Sequence, residues 1–101
     1  VQGALGLMYE LQGWLAELTG LPGVCLSPAA GAHGELAGMM TIRRAHEQKG
    51  ENKKRRVVLT PDSSHGTNPA TAVMCGYEVR NMPTKENGML SVETFKQALY
   101  A

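Results

Sequence analysis

The chain has 101 residues, 43% of them hydrophobic, and a formal net charge of +1. That length holds one domain at most, or a piece of a larger one, and so small a charge gives no reason to expect nucleic acid, a membrane surface or an acidic partner. Cys25 and Cys75 form no disulfide framework and both stand among apolar neighbours, which reads as buried free thiols in a reducing compartment. No apolar run reaches membrane-spanning length and no signal-peptide pattern opens the chain, so the expected location is cytoplasmic.

In the first segment, VQGALGLMYELQGWLAELTG, Val1, Leu5, Met8, Leu11, Leu15 and Leu18 recur at spacings of three and four, which predicts a helix already under way at Val1. Gly20 suits a left-handed cap, Leu21-Pro22-Gly23 turns the chain, and Val24-Cys25-Leu26 reads as a short strand bounded by Pro28. The small-residue loop AAGAHGE then opens a helix expected from about Glu35 to Lys49, with Leu36, Met39, Met40 and Ile42 on its apolar side. Gly50 and the polar run after it form a turn, and Arg56 to Thr60 reads as a second strand. After the loop PDSSHGTNPA, Asn68 is expected to cap and Pro69 to start a short helix that ends at Gly76. Tyr77 to Met82 reads as a third strand, Lys85 to Gly88 as a turn, and Ser91 as the cap of the last helix.

No cap or initiator Met precedes the first helix, and SVETFKQALYA breaks off in mid-pattern, so the chain is expected to be a stretch of a longer protein. Alternating strands and helices predict an α/β layer with parallel strands. In such folds ligands bind where strand C-terminal ends meet helix N-termini, and both polar, glycine-bearing loops lie at such junctions.

In AAGAHGE, Ala29, Ala30, Gly31, Ala32 and Gly34 let a ligand approach the backbone, and the free N–H groups of the following helix favour a phosphate or carboxylate. Close packing explains the same small residues, and the stretch fits neither a Walker loop nor G-x-G-x-x-G. In PDSSHGTNPA a plain turn with a helix start accounts for Asn68 and Pro69 but not for His65. That ring could be solvated, donate to a carbonyl, or lie on a flat ligand. The run Lys53-Lys54-Arg55-Arg56 reads as a solvated loop rather than a phosphate-backbone site. The spacings of His33, His46, His65 and the cysteines argue against zinc, and Ser63, Ser64 and His65 occur without a G-x-S-x-G elbow.

The stretches PAAGAHGELAG (28–38) and DSSHGTNPA (62–70) closely resemble those of the glycine cleavage system P-protein family, and more narrowly the second subunit of its two-subunit bacterial form. VQG…LMYELQGWLAELTGLPGV and GYEV…NGMLSVE resemble the same family in the same order, so the likeness covers essentially all 101 residues. It implies the following expectations. Residues 1–101 are part of the large cofactor domain, truncated at both ends, of a fold type I, aspartate-aminotransferase-like pyridoxal 5'-phosphate enzyme with a mostly parallel sheet. That enzyme decarboxylates glycine and passes the aminomethyl group to the lipoyl arm of H-protein, as a heterotetramer with a first subunit. The phosphate cradle falls on Ala30, Gly31 and Ala32 with His33 nearby, His65 stacks on the cofactor ring, and Thr67 and Asn68 contact the cofactor or the glycine carboxylate.

The decarboxylation chemistry asks the protein to fix the plane and phosphate of an electron-accepting ring, which a stacked imidazole and helix-start amides can do. The family's cofactor-linking lysine lies in a His-Lys motif that does not occur here, so none of Lys49, Lys53, Lys54, Lys85 or Lys96 inherits the role, Asp62 is not the acid of the pyridine nitrogen, and the 101 residues are expected to be inactive alone. Ser27 stands where the family leads one to expect glutamine. Two other readings are another fold type I decarboxylase and a non-catalytic anion-binding remnant. Because that fold sets the first strand apart from the other two, autonomous folding is expected to be marginal.

Overall fold

The computed structural model describes residues 1–100; Ala101, the last residue of the interrupted helical pattern, lies outside them. Four helices and two strands follow in the order α1 (Gln2–Thr19), α2 (Gly31–Gln48), β1 (Val57–Pro61), α3 (Thr67–Met74), β2 (Glu78–Met82) and α4 (Val92–Tyr100). Val1–Gly31 and Ala32–Ala101 form two compact units and are described separately.

In the first unit, α1 buries none of its residues and ends as expected at Gly20, whose φ of 69° is the left-handed conformation glycine adopts most cheaply. The Thr19 hydroxyl donates to the Leu15 carbonyl at 2.7 Å and closes the last turn. The expected strand at Val24–Leu26 is not found: the segment belongs to no sheet. A strand needs a neighbour for its ladder. Here the Gln12 amide, donating to the Val24 carbonyl at 3.0 Å, supplies one side-chain bond in place of a ladder. For the same reason the expectation of two buried thiols fails at Cys25, which is exposed, while Cys75 is buried. The Ser27 backbone N–H, and then its hydroxyl, hold the Cys25 thiol below its usual pKa.

The second unit is built on β1–α3–β2. The two strands pair in parallel with Val57 opposite Glu78 and Pro61 opposite Met82, and α3, the crossover between them, packs on both. Parallel strands require such a crossover. α4 packs on β2, where the Arg80 guanidinium donates to the Ala98 carbonyl at 2.6 Å. Ala72, Cys75, Met82 and Ala98 are the buried apolar residues, a small core drawn from α3, β2 and α4. Of the apolar side expected for α2, Leu36 and Met39 are half-buried whereas Met40 and Ile42 are exposed.

Two helices end on the same device. Gly50 (φ 69°) and Gly76 (φ 77°) are left-handed, and their neighbours bond back across the last turn. Glu51 N reaches the His46 carbonyl at 2.8 Å and Tyr77 N the Ala72 carbonyl at 3.0 Å, the six-to-one bond of a Schellman cap. Ser91 caps α4 as expected, its hydroxyl accepting from Thr94 N at 3.1 Å. The turn at Lys85–Gly88 is closed by Gly88 N on the Lys85 carbonyl at 2.7 Å.

Candidate functional site

Both singled-out loops differ locally from the sequence expectation. α2 begins at Gly31, not near Glu35, so Gly31, Ala32 and His33 form its first turn. The added turn contains two glycines, which are weak helix formers, so local propensity does not account for the earlier start. The N–H groups of this first turn have no partner within the helix, and no acidic residue lies in that turn. A Cβ added at Gly31 would meet nothing within 4 Å, so the backbone there is open. Ala30 and Gly31 fall at the end of the first compact unit, and Ala32 and His33 at the start of the second.

α3 starts at Thr67 with Gly66 as its cap residue, so Asn68 is not the cap; it lies in the first turn. The side chain that closes this helix start is His65. Its Nδ1 accepts from Thr67 N at 3.2 Å and lies 2.9 Å from the Thr67 hydroxyl. Accepting from a backbone N–H requires an unprotonated Nδ1, so the Thr67 hydroxyl donates to the same nitrogen and the neutral ring carries its proton on Nε2. Two anchors on one nitrogen hold the imidazole in place, while the residue stays exposed.

Freed from capping, Asn68 turns elsewhere. Its Nδ2 donates to Glu35 Oε1, and the Thr71 hydroxyl donates to Glu35 Oε2 at 3.1 Å. Glu35 is the last residue of AAGAHGE, and Asn68 belongs to PDSSHGTNPA. One carboxylate thus ties the second turn of α2 to the first and second turns of α3. Sequence reasoning missed Glu35. The acid stands inside the quoted motif, but its partners lie 33 and 36 residues away, and no local pattern reveals such a pairing.

Asp62, set aside in the sequence as a cofactor partner, holds the strand ends together. Its Oδ1 accepts from the Thr84 hydroxyl at 2.7 Å and from Thr84 N at 3.1 Å, and these bonds, the hydroxyl first, hold the carboxyl below the usual range. Among the described residues, no three His, Cys, Asp or Glu side chains gather as a metal site, and no helix is long and apolar enough to cross a membrane.

A scan against protein-family models finds no match. Among curated proteins the chain is similar to proteins named probable glycine dehydrogenase (decarboxylating) subunit 2. One from Thermus thermophilus is 55% identical over 98 residues, 97% of this chain and 21% of the relative. That of Thermococcus onnurineus is 50% identical over 99 residues, 98% of this chain and 20% of the relative. That of Methylococcus capsulatus is 50% identical over 98 residues, 97% of this chain and 20% of the relative. The chain is thus similar, along nearly its whole length, to one stretch of proteins named glycine dehydrogenase (decarboxylating) subunit 2, and spans about one fifth of the length of these relatives.

Proposed function

We propose that these residues form part of a pyridoxal 5'-phosphate-dependent glycine decarboxylase of fold type I, working with a first subunit, with glycine as substrate and a lipoylated H-protein as acceptor. The observation that carries the reading is the Glu35 carboxylate, which joins the two family-like motifs in space through Asn68 and Thr71. The identity to second-subunit relatives along 97% of the chain supports the same assignment.

The residues present fit the cofactor. The first-turn amides of Gly31, Ala32 and His33, with Ala30 preceding them, suit a phosphate: the helix dipole favours an anion there and no acidic side chain competes. The His65 ring, fixed through Nδ1 on Thr67, offers a face of defined plane. When bound, the cofactor supplies the electron sink for the pair released as carbon dioxide leaves glycine. This chain's part is to orient: His65 holds the ring's plane, the α2 start holds the phosphate, and Thr67 fixes His65. Asn68 gives one amide N–H to Glu35 and keeps a second N–H for an oxygen of the ligand. The lysine that links the cofactor is contributed from outside these residues.

The test is His65→Ala in the assembled enzyme, with His65→Phe beside it. The expected result is weaker cofactor retention and an altered cofactor absorption band for alanine, part of both restored by phenylalanine, whose flat ring can still stack. Glycine decarboxylation should fall with the alanine change. Unchanged cofactor affinity and spectrum in His65→Ala would remove His65 from the site.

A further inference from the structure

At the opposite end of the β1–α3–β2 unit, where the strands begin, lies a cavity of about 60 Å³ lined by Arg43, His46, Asn52, Arg55, Arg56 and Tyr77, with Gly76. One water needs roughly 10–15 Å³ of such volume, so there is room for a small polyatomic group. Three arginines line it and no acidic residue does. Two of the lining residues each carry a buried polar atom without a hydrogen-bond partner, His46 Nδ1 and the Tyr77 hydroxyl. Native structures rarely leave such atoms unsatisfied, so each asks for a partner.

The local structure explains why cations gather here. α2 and α3 both end at this place, and their carbonyl ends favour positive charge. Arg43 meets that demand by donating to the Cys75 carbonyl, and it also pairs with Glu47 at 3.2 Å. Arg55 pairs with Glu51 at 2.7 Å. Arg56 has no ion pair among the described residues. Three arginines, an asparagine and two residues with unpartnered polar atoms therefore surround one small cavity.

We propose that this cavity is an anion site, separate from the α2 start, that takes a phosphate-type oxoanion, either free or as the end of a phosphate monoester. Planar guanidinium forks match the oxygens of phosphate, and the Tyr77 hydroxyl and the Asn52 amide supply neutral donors. The basic run before β1 thereby gains a ligand through Arg55 and Arg56, which a solvated loop would not provide. The proposal does not depend on the cofactor reading.

A ligand that binds only the folded state raises the folded fraction, so the test works whether the 101-residue chain is stable or marginal by itself. Thermal unfolding and helical circular dichroism of the chain are compared in inorganic phosphate and in chloride at matched ionic strength. Phosphate is expected to raise the folded fraction, and amide resonances of Arg56, Gly76 and Tyr77 are expected to shift with it. Arg56→Gln should weaken this response about tenfold, the loss of one charged hydrogen-bonding partner, and Tyr77→Phe, which leaves the ring in place, should weaken it less. Glycerol phosphate matching inorganic phosphate assigns the end of a monoester; a response to inorganic phosphate alone assigns the free anion. No phosphate-specific gain, a response undiminished in Arg56→Gln, or shifts confined to Gly31–His33 would overturn the proposal.

Discussion

Asp62 and Thr84, 22 residues apart, are joined by two hydrogen bonds to one carboxylate oxygen, from the hydroxyl at 2.7 Å and the backbone N–H at 3.1 Å. They stand just beyond the C-terminal ends of β1 and β2, so the carboxylate extends the pairing of the two strands past the sheet. The loop that carries His65 starts from this clamp.

The Asp62–Thr84 clamp predicts an acid-sensitive loop. The Asp62 pKa is lowered in the folded chain, first by the Thr84 hydroxyl and then by its N–H. A carboxyl with a depressed folded pKa contributes stability that is present above the unfolded carboxylate pKa and is lost as pH falls through the folded one. Protection of the Thr84 amide from hydrogen exchange should therefore drop on acidification below the ordinary carboxylate range. In Thr84→Val the drop should be smaller, because the largest cause of the shift is gone. An equal pH response in both proteins would argue against the clamp.

Glu35 predicts a coupling between α2 and α3. Removing Glu35 or Asn68 singly should each cost about 1 kcal/mol, the net value of one hydrogen bond. Removing both should cost less than the sum, by an interaction energy of about 0.5 kcal/mol or more. Denaturant melts of Glu35→Ala, Asn68→Ala and the double variant, read in whatever length of chain folds cooperatively, provide the cycle. Strict additivity would mean that the two side chains do not act on one another.

Gly76 and Gly50 separate backbone strain from crowding. Both are left-handed, at φ 77° and 69°. Alanine at Gly50 would meet nothing within 4 Å, whereas at Gly76 its Cβ would run into the Arg43 guanidinium. Gly50→Ala should cost about 1–2 kcal/mol, the penalty of a left-handed residue with a Cβ. Gly76→Ala should cost more, and Arg43→Ala should bring it back toward the Gly50 value. Thermal melts of the three variants, made in a length of chain that folds cooperatively, test the order.

Autonomous stability is predicted to be marginal. The buried apolar set is Ala72, Cys75, Met82 and Ala98, while Leu5, Trp14, Leu18, Val73, Met74, Leu99 and Tyr100 are more than half exposed. Native stability is a small surplus over chain entropy, and so little burial leaves the surplus near zero. The 101-residue chain should show low chemical-shift dispersion and no sharp melt without added ligand. A cooperative transition in plain buffer would refute this.

Much of this protein is legible in its residue order because the signals are local. The period of three and four predicts α1, the left-handed glycines at 20, 50, 76 and 88 mark turns that only a residue without Cβ enters cheaply, and Ser91 caps α4 three residues ahead of the N–H it accepts from. The two motifs also carry the family, since sequence likeness needs no coordinates. Where local preference competes with a neighbour, tertiary structure decides. Val24–Leu26 has a strand's composition but no strand beside it. Asn68 has a cap's chemistry, but His65 closes the helix start and Glu35 draws the amide away. The pairings of Glu35 with Asn68 and Thr71, of Asp62 with Thr84, and of Arg43 with Cys75 join positions 22 to 36 residues apart. Such contacts depend on how the parallel pair and its crossover helix bring distant positions together, and only the folded chain contains that information.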